Sequence, residues 1–170
     1  MALLSSMAPQ RLEPNVITCS AAIGACERGG NWQMSLALFA SMAGTSLSPD
    51  RVSYNAVLDA IFDRDAGWDV FRQGVQGGVF PDRLSRDRSM LDLHDLSVGA
   101  ALIAVNWKLS LMLSRKAAGA AVNPRLSIIT GWGKSRQEWD FVGIKEAVSE
   151  LLDVRGARLI PQTNPGVLEV

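Results

Sequence analysis

The chain has 170 residues, 48% of them apolar, with 17 basic and 17 acidic side chains and a net charge of zero. That length suits one domain, or one small domain beside a short array, and the apolar content excludes a disordered chain. The charge balance, with a pI near 6.6, excludes a polybasic chain held on nucleic acid by counterion release, and leaves a local patch open.

No run approaches the roughly 18–20 apolar residues of a membrane span, so no membrane partner is expected. The start, Met1-Ala2-Leu3-Leu4, has neither a basic region nor a long apolar stretch, and reads neither as a secretion signal nor as an Arg- and Ser-rich transit leader. Cys19 and Cys26 are seven apart. On a helix that puts them on one face, about two turns apart and too far for a disulfide. With no histidine nearby they make no zinc site; they read as small core residues in a reducing compartment. No metal site and no small-molecule cofactor are expected from these residues.

The first half repeats itself. Leu12-Glu13-Pro14-Asn15-Val16-Ile17-Thr18-Cys19-Ser20-Ala21 aligns with Leu47-Ser48-Pro49-Asp50-Arg51-Val52-Ser53-Tyr54-Asn55-Ala56 at an offset of 35. Leu4 matches Phe39 and Met7 matches Met42 at the same offset, and Val79-Phe80-Pro81-Asp82 opens a third boundary 32 residues after the second. Such self-similarity marks a solenoid of supersecondary units. Each unit reads as two helices. Thr18 and Ser53 are the expected N-caps of the first helix. Ala22, Ile23 and Cys26, and in the next copy Val57, Leu58 and Ile61, follow helical spacing. Gly29-Gly30 breaks the first copy. Asn31 can cap a second helix whose buried stripe is Trp32, Leu36, Phe39 and Met42, and the Leu-x-Pro-Asp turn ends the unit.

This period, the Val52-Ser53-Tyr54-Asn55-Ala56-Val57-Leu58 opening and the Leu-Phe-x-x-Met…Leu-x-Pro-Asp ending resemble pentatricopeptide repeats. The resemblance covers residues 1–82: the tail of one repeat, one full repeat and one shortened by three residues. The Trp-x2-Leu-Gly-x2-Tyr opening of tetratricopeptide repeats is missing. The resemblance implies single-stranded RNA as partner, read about one base per repeat by two or three side chains. It puts the base-selecting positions on Ser20 with Asp50, leaning toward guanine, and on Asn55 with Asp82, leaning toward uracil. So few repeats are weak as a free-standing solenoid. They point to a truncated chain, or to repeats leaning on the next domain.

Residues 83–89 are polar and charged and read as a linker. The pattern then changes to alternating strand and helix: a strand at Met90–His94, and a helix capped by Ser97 through about Lys116, with Ala101, Leu102, Val105, Leu109 and Met112 on one stripe. A small-residue loop at Ala117–Asn123 leads to a buried strand at Leu126–Thr130. A helix at about Val142–Asp153 and closing strands at Ala157–Ile160 and Val167–Val170 follow. The expected fold is therefore α + α/β: an N-terminal helical-hairpin solenoid, then a two-layer βαβαββ sandwich with helices on one sheet face.

His94 is the only histidine, two residues after Asp92 in a Leu-Asp-Leu-His segment. In a strand, Leu91 and Leu93 would enter the core while Asp92 and His94 share the other face, an acid–base pair. Ile128-Ile129-Thr130-Gly131-Trp132-Gly133-Lys134 ends an apolar run in a glycine-rich turn, whose backbone N–H groups can hold a phosphate. Together with the Asn164-Pro165-Gly166 turn, these segments resemble the Smr (small MutS-related) domain over residues 90–170. That resemblance carries the active-site roles onto Asp92, His94, Thr130, Gly131 and Gly133. Lys134 and Arg136 would neutralise a phosphate, Trp132 would stack on a base, and Asp92 would orient His94 or hold a divalent ion such as Mg. It implies an RNA-binding protein of organellar RNA processing, in a chloroplast or mitochondrion, with endoribonuclease action as one alternative and a protein-interaction scaffold as another. Two positions depart from the pattern. Asp95 replaces the glycine after the histidine, and Lys134-Ser135-Arg136 replaces Gly-Lys-His-Ser, losing a second histidine.

Overall fold

The computed structural model describes residues 14–80, 89–120, 125–131, 143–160, 164 and 166–170. It forms two compact units, Met1–Ile61 and Phe62–Val170.

The first unit holds α1 (Val16–Arg28), α2 (Trp32–Ala43) and α3 (Arg51–Ile61), each packed on the other two. The caps lie three residues before the expected ones. Asn15, not Thr18, caps α1, accepting from the Thr18 N–H at 2.9 Å. Asp50 does the same for α3 through the Ser53 N–H, also at 2.9 Å. Thr18 and Ser53 instead donate their hydroxyls to the capping oxygens. The reason is geometric: a cap accepts from the N–H two or three residues ahead, so the capping residue precedes the first apolar turn. Asn31 caps α2 through the Met34 N–H. At the end of α1, Gly30 takes a left-handed φ of 68°, where a side chain would be strained.

Ile23, Met42, Val57, Leu58 and Ile61 fill the core of this unit, and the Phe39 and Tyr54 rings meet edge to face at 4.8 Å. The buried stripe of α2 is Ser35, Leu38, Phe39 and Met42; Trp32 and Leu36 are only half-buried. Ser35 is fully buried, its hydroxyl donating to the Ile23 carbonyl at 3.3 Å. A small side chain there lets α1 and α2 approach closely, which rotates the stripe from the position that apolar spacing alone suggests.

The second unit contains α4 (Asp65–Gln76), β1 (Met90–Asp92), α5 (Val98–Ala117), β2 (Ser127–Ile129), α6 (Ile144–Val154) and β3 (Val167–Glu169). β1 pairs with β2 in parallel, and β2 with β3 antiparallel, in the order β1-β2-β3. Parallel neighbours need a crossover, and α5 supplies it. Leu91, Ile128 and Leu168 share one register line and are all buried. Ala157–Ile160 is not a strand: Ile160 alone bridges to Glu169. The next residue, Pro161, has no N–H with which to extend a ladder. α5 is buried through Gly99, Ala100, Ala101, Ile103, Ala104, Val105 and Lys108, a wider face than the expected stripe. It packs against both α4 and α6, so one stripe would not suffice. Phe71 of α4 stacks on Phe80 at 5.4 Å and tilts against Trp107 of α5 at 6.3 Å. Among the described residues no helix is long and apolar enough to cross a membrane. Most of the segment expected as a linker, 83–89, lies outside the described residues.

Candidate functional site

In the first unit, two of the four residues singled out in the repeats, Ser20 and Asp50, come together. A cleft of about 400 Å³ is lined by Ile17, Ser20, Ala21, Gly24, Arg28, Asp50, Val52 and Ala56. Ser20 from α1 and Asp50 from the cap of α3 thus share one opening. Ile17 and Val52, 35 residues apart, line it while 76% and 62% exposed. Exposed aliphatics in matched positions of successive helices are apolar surface without a core to fill. Arg28 is exposed at the end of α1, and a Cβ on Gly24 would lie 3.4 Å from its guanidinium, so the side chain folds back along the helix. The Ser20 hydroxyl lies 2.7 Å from that of Ser53 and 2.8 Å from the Val16 carbonyl, and the Ser53 hydroxyl donates to Asp50 Oδ1 at 2.8 Å. Asn55 stands in α3, half-buried. Its expected companion Asp82 lies outside the described residues.

In the second unit, the carboxyl ends of the parallel strands β1 and β2 bring the Asp92 and Thr130 segments side by side. The pairing continues one residue past β1, where the Leu93 N–H donates to the Ile129 carbonyl at 2.8 Å. Open sheets hold ligands beyond the carboxyl ends of their strands. Asp92 is buried with Leu91 and Leu93, while the His94 side chain is about half exposed. Asp92 Oδ1 accepts from the His94 backbone N–H at 3.2 Å and meets ring Nδ1 at 2.5 Å. Ring Nε2 lies 3.3 Å from Asp95 Oδ2. The imidazole therefore stands between two carboxylates, one of which spacing alone does not single out. Thr130 is buried; its N–H donates to the Gly166 carbonyl at 3.0 Å, and its hydroxyl reaches the same oxygen at 3.4 Å. This ties the turn after β2 to the Asn164–Gly166 turn, where Asn164 Oδ1 accepts from the Gly166 N–H. Gly131 has φ +82°, and a Cβ there would lie 3.7 Å from His94 Cβ. Trp132, Gly133, Lys134 and Arg136 lie outside the described residues. Among the described residues no group of three or more His, Cys, Asp or Glu is placed to hold a metal ion.

Sequence reasoning missed Ser53, Ile17, Val52, Arg28 and Asp95. The offset of 35 contained the signal for Ile17 and Val52, which align as matched apolar residues one place after the helix start.

Residues 2–64 match the family model described as the pentatricopeptide repeat domain. Two pentatricopeptide repeat-containing proteins of Arabidopsis thaliana are similar: one is 30% identical over 65% of this chain, the other 28% over 63%. The chain spans 14% of the length of each. Among solved structures, the pentatricopeptide repeat protein PPR10 in complex with an 18-nt psaJ RNA element is 17% identical, covering 91% of this chain and 23% of that one, with a TM-score of 0.46. A cysteine-to-serine form of the same protein with the same RNA element gives the same values. Over residues 2–64 the chain is therefore similar to the pentatricopeptide repeat domain.

Proposed function

We propose, with a pentatricopeptide repeat domain at residues 2–64 as the premise, that this chain binds single-stranded RNA and that α1 and α3 select one base. The observation that carries this is the cleft. It joins a hydroxyl and a carboxylate, Ser20 and Asp50, to two exposed aliphatics and the exposed cation Arg28. A nucleotide has parts that match each: an edge of donors and acceptors, two flat apolar faces and a phosphate. Asn55 with Asp82 would take the next base, and the chain would serve organellar RNA processing as part of a longer repeat array.

For residues 90–170 we propose an Smr-type domain that holds the RNA backbone. Asp92, His94, Thr130 and Gly131 would form its described edge, and Gly133, Trp132, Lys134 and Arg136 would complete it. The parallel order of β1 and β2, with the Asp92 and Thr130 turns at one end, favours this reading. Cleavage is the second reading, favoured by the Asp92–His94 contact, since a carboxylate on Nδ1 orients an imidazole for proton transfer at Nε2. Asp95 opposes it: its carboxylate stands 3.3 Å from Nε2 and occupies the atom that would transfer the proton. Binding without cutting follows.

The test uses labelled single-stranded RNA with the whole chain at low salt, read by fluorescence anisotropy and by denaturing gel. Binding with intact RNA is expected. Cleavage that survives in wild type and disappears in Asp92→Ala and His94→Ala would replace this with the nuclease reading, and adding chelator would show whether that nuclease needs a metal. Absence of binding would leave the protein-interaction scaffold.

A further inference from the structure

Ser53 does not line the cleft and is fully buried, yet it touches two residues that do, Ser20 and Asp50. Resting on the RNA reading above, we propose that Ser53 is a positioning residue for base selection, and that it fixes both Ser20 and Asp50 as hydrogen-bond acceptors.

Proton counting leads there. Ser20 and Ser53 have one hydroxyl proton each. Three contacts compete for them: Ser20 with the Val16 carbonyl, Ser20 with Ser53, and Ser53 with Asp50. A bond to a charged acceptor is the strongest of the three, so the Ser53 proton goes to Asp50 Oδ1. Ser53 Oγ is then an acceptor 2.7 Å from Ser20 Oγ, and the Ser20 proton is shared between Ser53 Oγ and the Val16 carbonyl at 2.8 Å. The order is a relay, Ser20 to Ser53 to Asp50, in which each bond polarises the next. Ser20 has spent its proton inside the protein and offers the cleft only lone pairs. Asp50 takes both the N–H and the hydroxyl of Ser53 on Oδ1, and among the described residues nothing donates to its Oδ2. The cleft therefore presents two acceptors.

Guanine alone has two neighbouring donors on its Watson–Crick edge, the N1–H and the 2-amino group. Adenine has an acceptor at N1, and the same acceptor pair repels it. Without the Ser53 hydroxyl, the Ser20 proton loses one of its two acceptors, and a base acceptor in the cleft can compete with the Val16 carbonyl for it. Asp50 keeps only the backbone N–H and can rotate. Discrimination between the purines then falls, while the fold retains the cap.

The experiment uses the whole chain with three oligouridine octamers that differ at one central position, guanosine, adenosine or uridine, measured by fluorescence anisotropy. Wild type prefers the guanosine octamer. In Ser53→Ala the guanosine-to-adenosine preference falls roughly five- to ten-fold, the worth of about one hydrogen bond, chiefly through gained adenosine affinity. Ser53→Thr restores it, because Thr18 makes the same hydroxyl contact to Asn15 at the equivalent position of the previous repeat. A merely structural role would lower all three affinities together and leave the ratio unchanged, which would overturn the assignment. If wild type binds RNA with no preference for guanosine, the relay is refuted while RNA binding stands. If wild type binds none of the octamers, the RNA reading itself falls and this role with it.

Discussion

Gly131 offers a sharp test of how the end of β2 is built. Its φ of +82° lies in the left-handed region, and the Cβ of an alanine would stand 3.7 Å from His94 Cβ, at ordinary van der Waals distance. The space is therefore open, and the whole cost of Gly131→Ala is conformational. Alanine in that region loses about 1–2 kcal/mol relative to glycine. Asparagine, whose short polar side chain tolerates left-handed backbone, loses less. With a urea slope of roughly 1–2 kcal/mol per molar, the alanine midpoint falls by about 0.5–2 M. Urea titration followed by tryptophan fluorescence suits this, because Trp68, Trp107, Trp132 and Trp139 all belong to the second unit and only Trp32 to the first. Equal midpoints for wild type and Gly131→Ala would refute the reasoning. So would an asparagine variant less stable than the alanine one, since that order would mean steric or polar cost and not backbone strain.

Two further outcomes concern the first unit. Ile23→Ala, at a fully buried position, destabilises it by about 2–5 kcal/mol, whereas Ile17→Ala, at an exposed one, stays within about 0.5 kcal/mol and weakens RNA binding; thermal melts by circular dichroism beside anisotropy separate the two. Burial raises the Tyr54 phenol above its ordinary 10.0, so its contribution to stability is fully present below pH 10.0 and is lost as pH rises toward the folded value. Phenolate absorbance should then titrate later in the folded chain than in urea, and Tyr54→Phe should flatten the alkaline loss of stability.

Some of this architecture can be read directly from residue order. The offset of 35 locates α1 and α3, because apolar residues at Ile23, Val57, Leu58 and Ile61 keep helical spacing. The Leu91 and Ile128 runs announce β1 and β2 as buried strands for the same reason. What stays hidden depends on neighbours far along the chain. The face of α5 widens because helices on two sides need it, and no stripe count contains that information. The caps shift by three residues because Asn15 and Asp50 accept from the Thr18 and Ser53 N–H groups and so start each helix a turn earlier. At the site, Ser20 and Asp50 follow from the repeat. Ser53 does not, since its role depends on a hydroxyl contact 33 residues away. Asp95 reads as a mere departure until its carboxylate is found beside Nε2.

Asp50 holds two offices at once: it ends one repeat beside the cleft and starts the next helix. Any residue placed there must first be able to cap a helix, which restricts the choice to Asp, Asn, Ser, Thr and, less well, Gly. Recognition at this junction is therefore written in a small alphabet chosen by helix initiation. A change of base preference made through a large side chain at position 50, or one without a capping oxygen, would loosen α3.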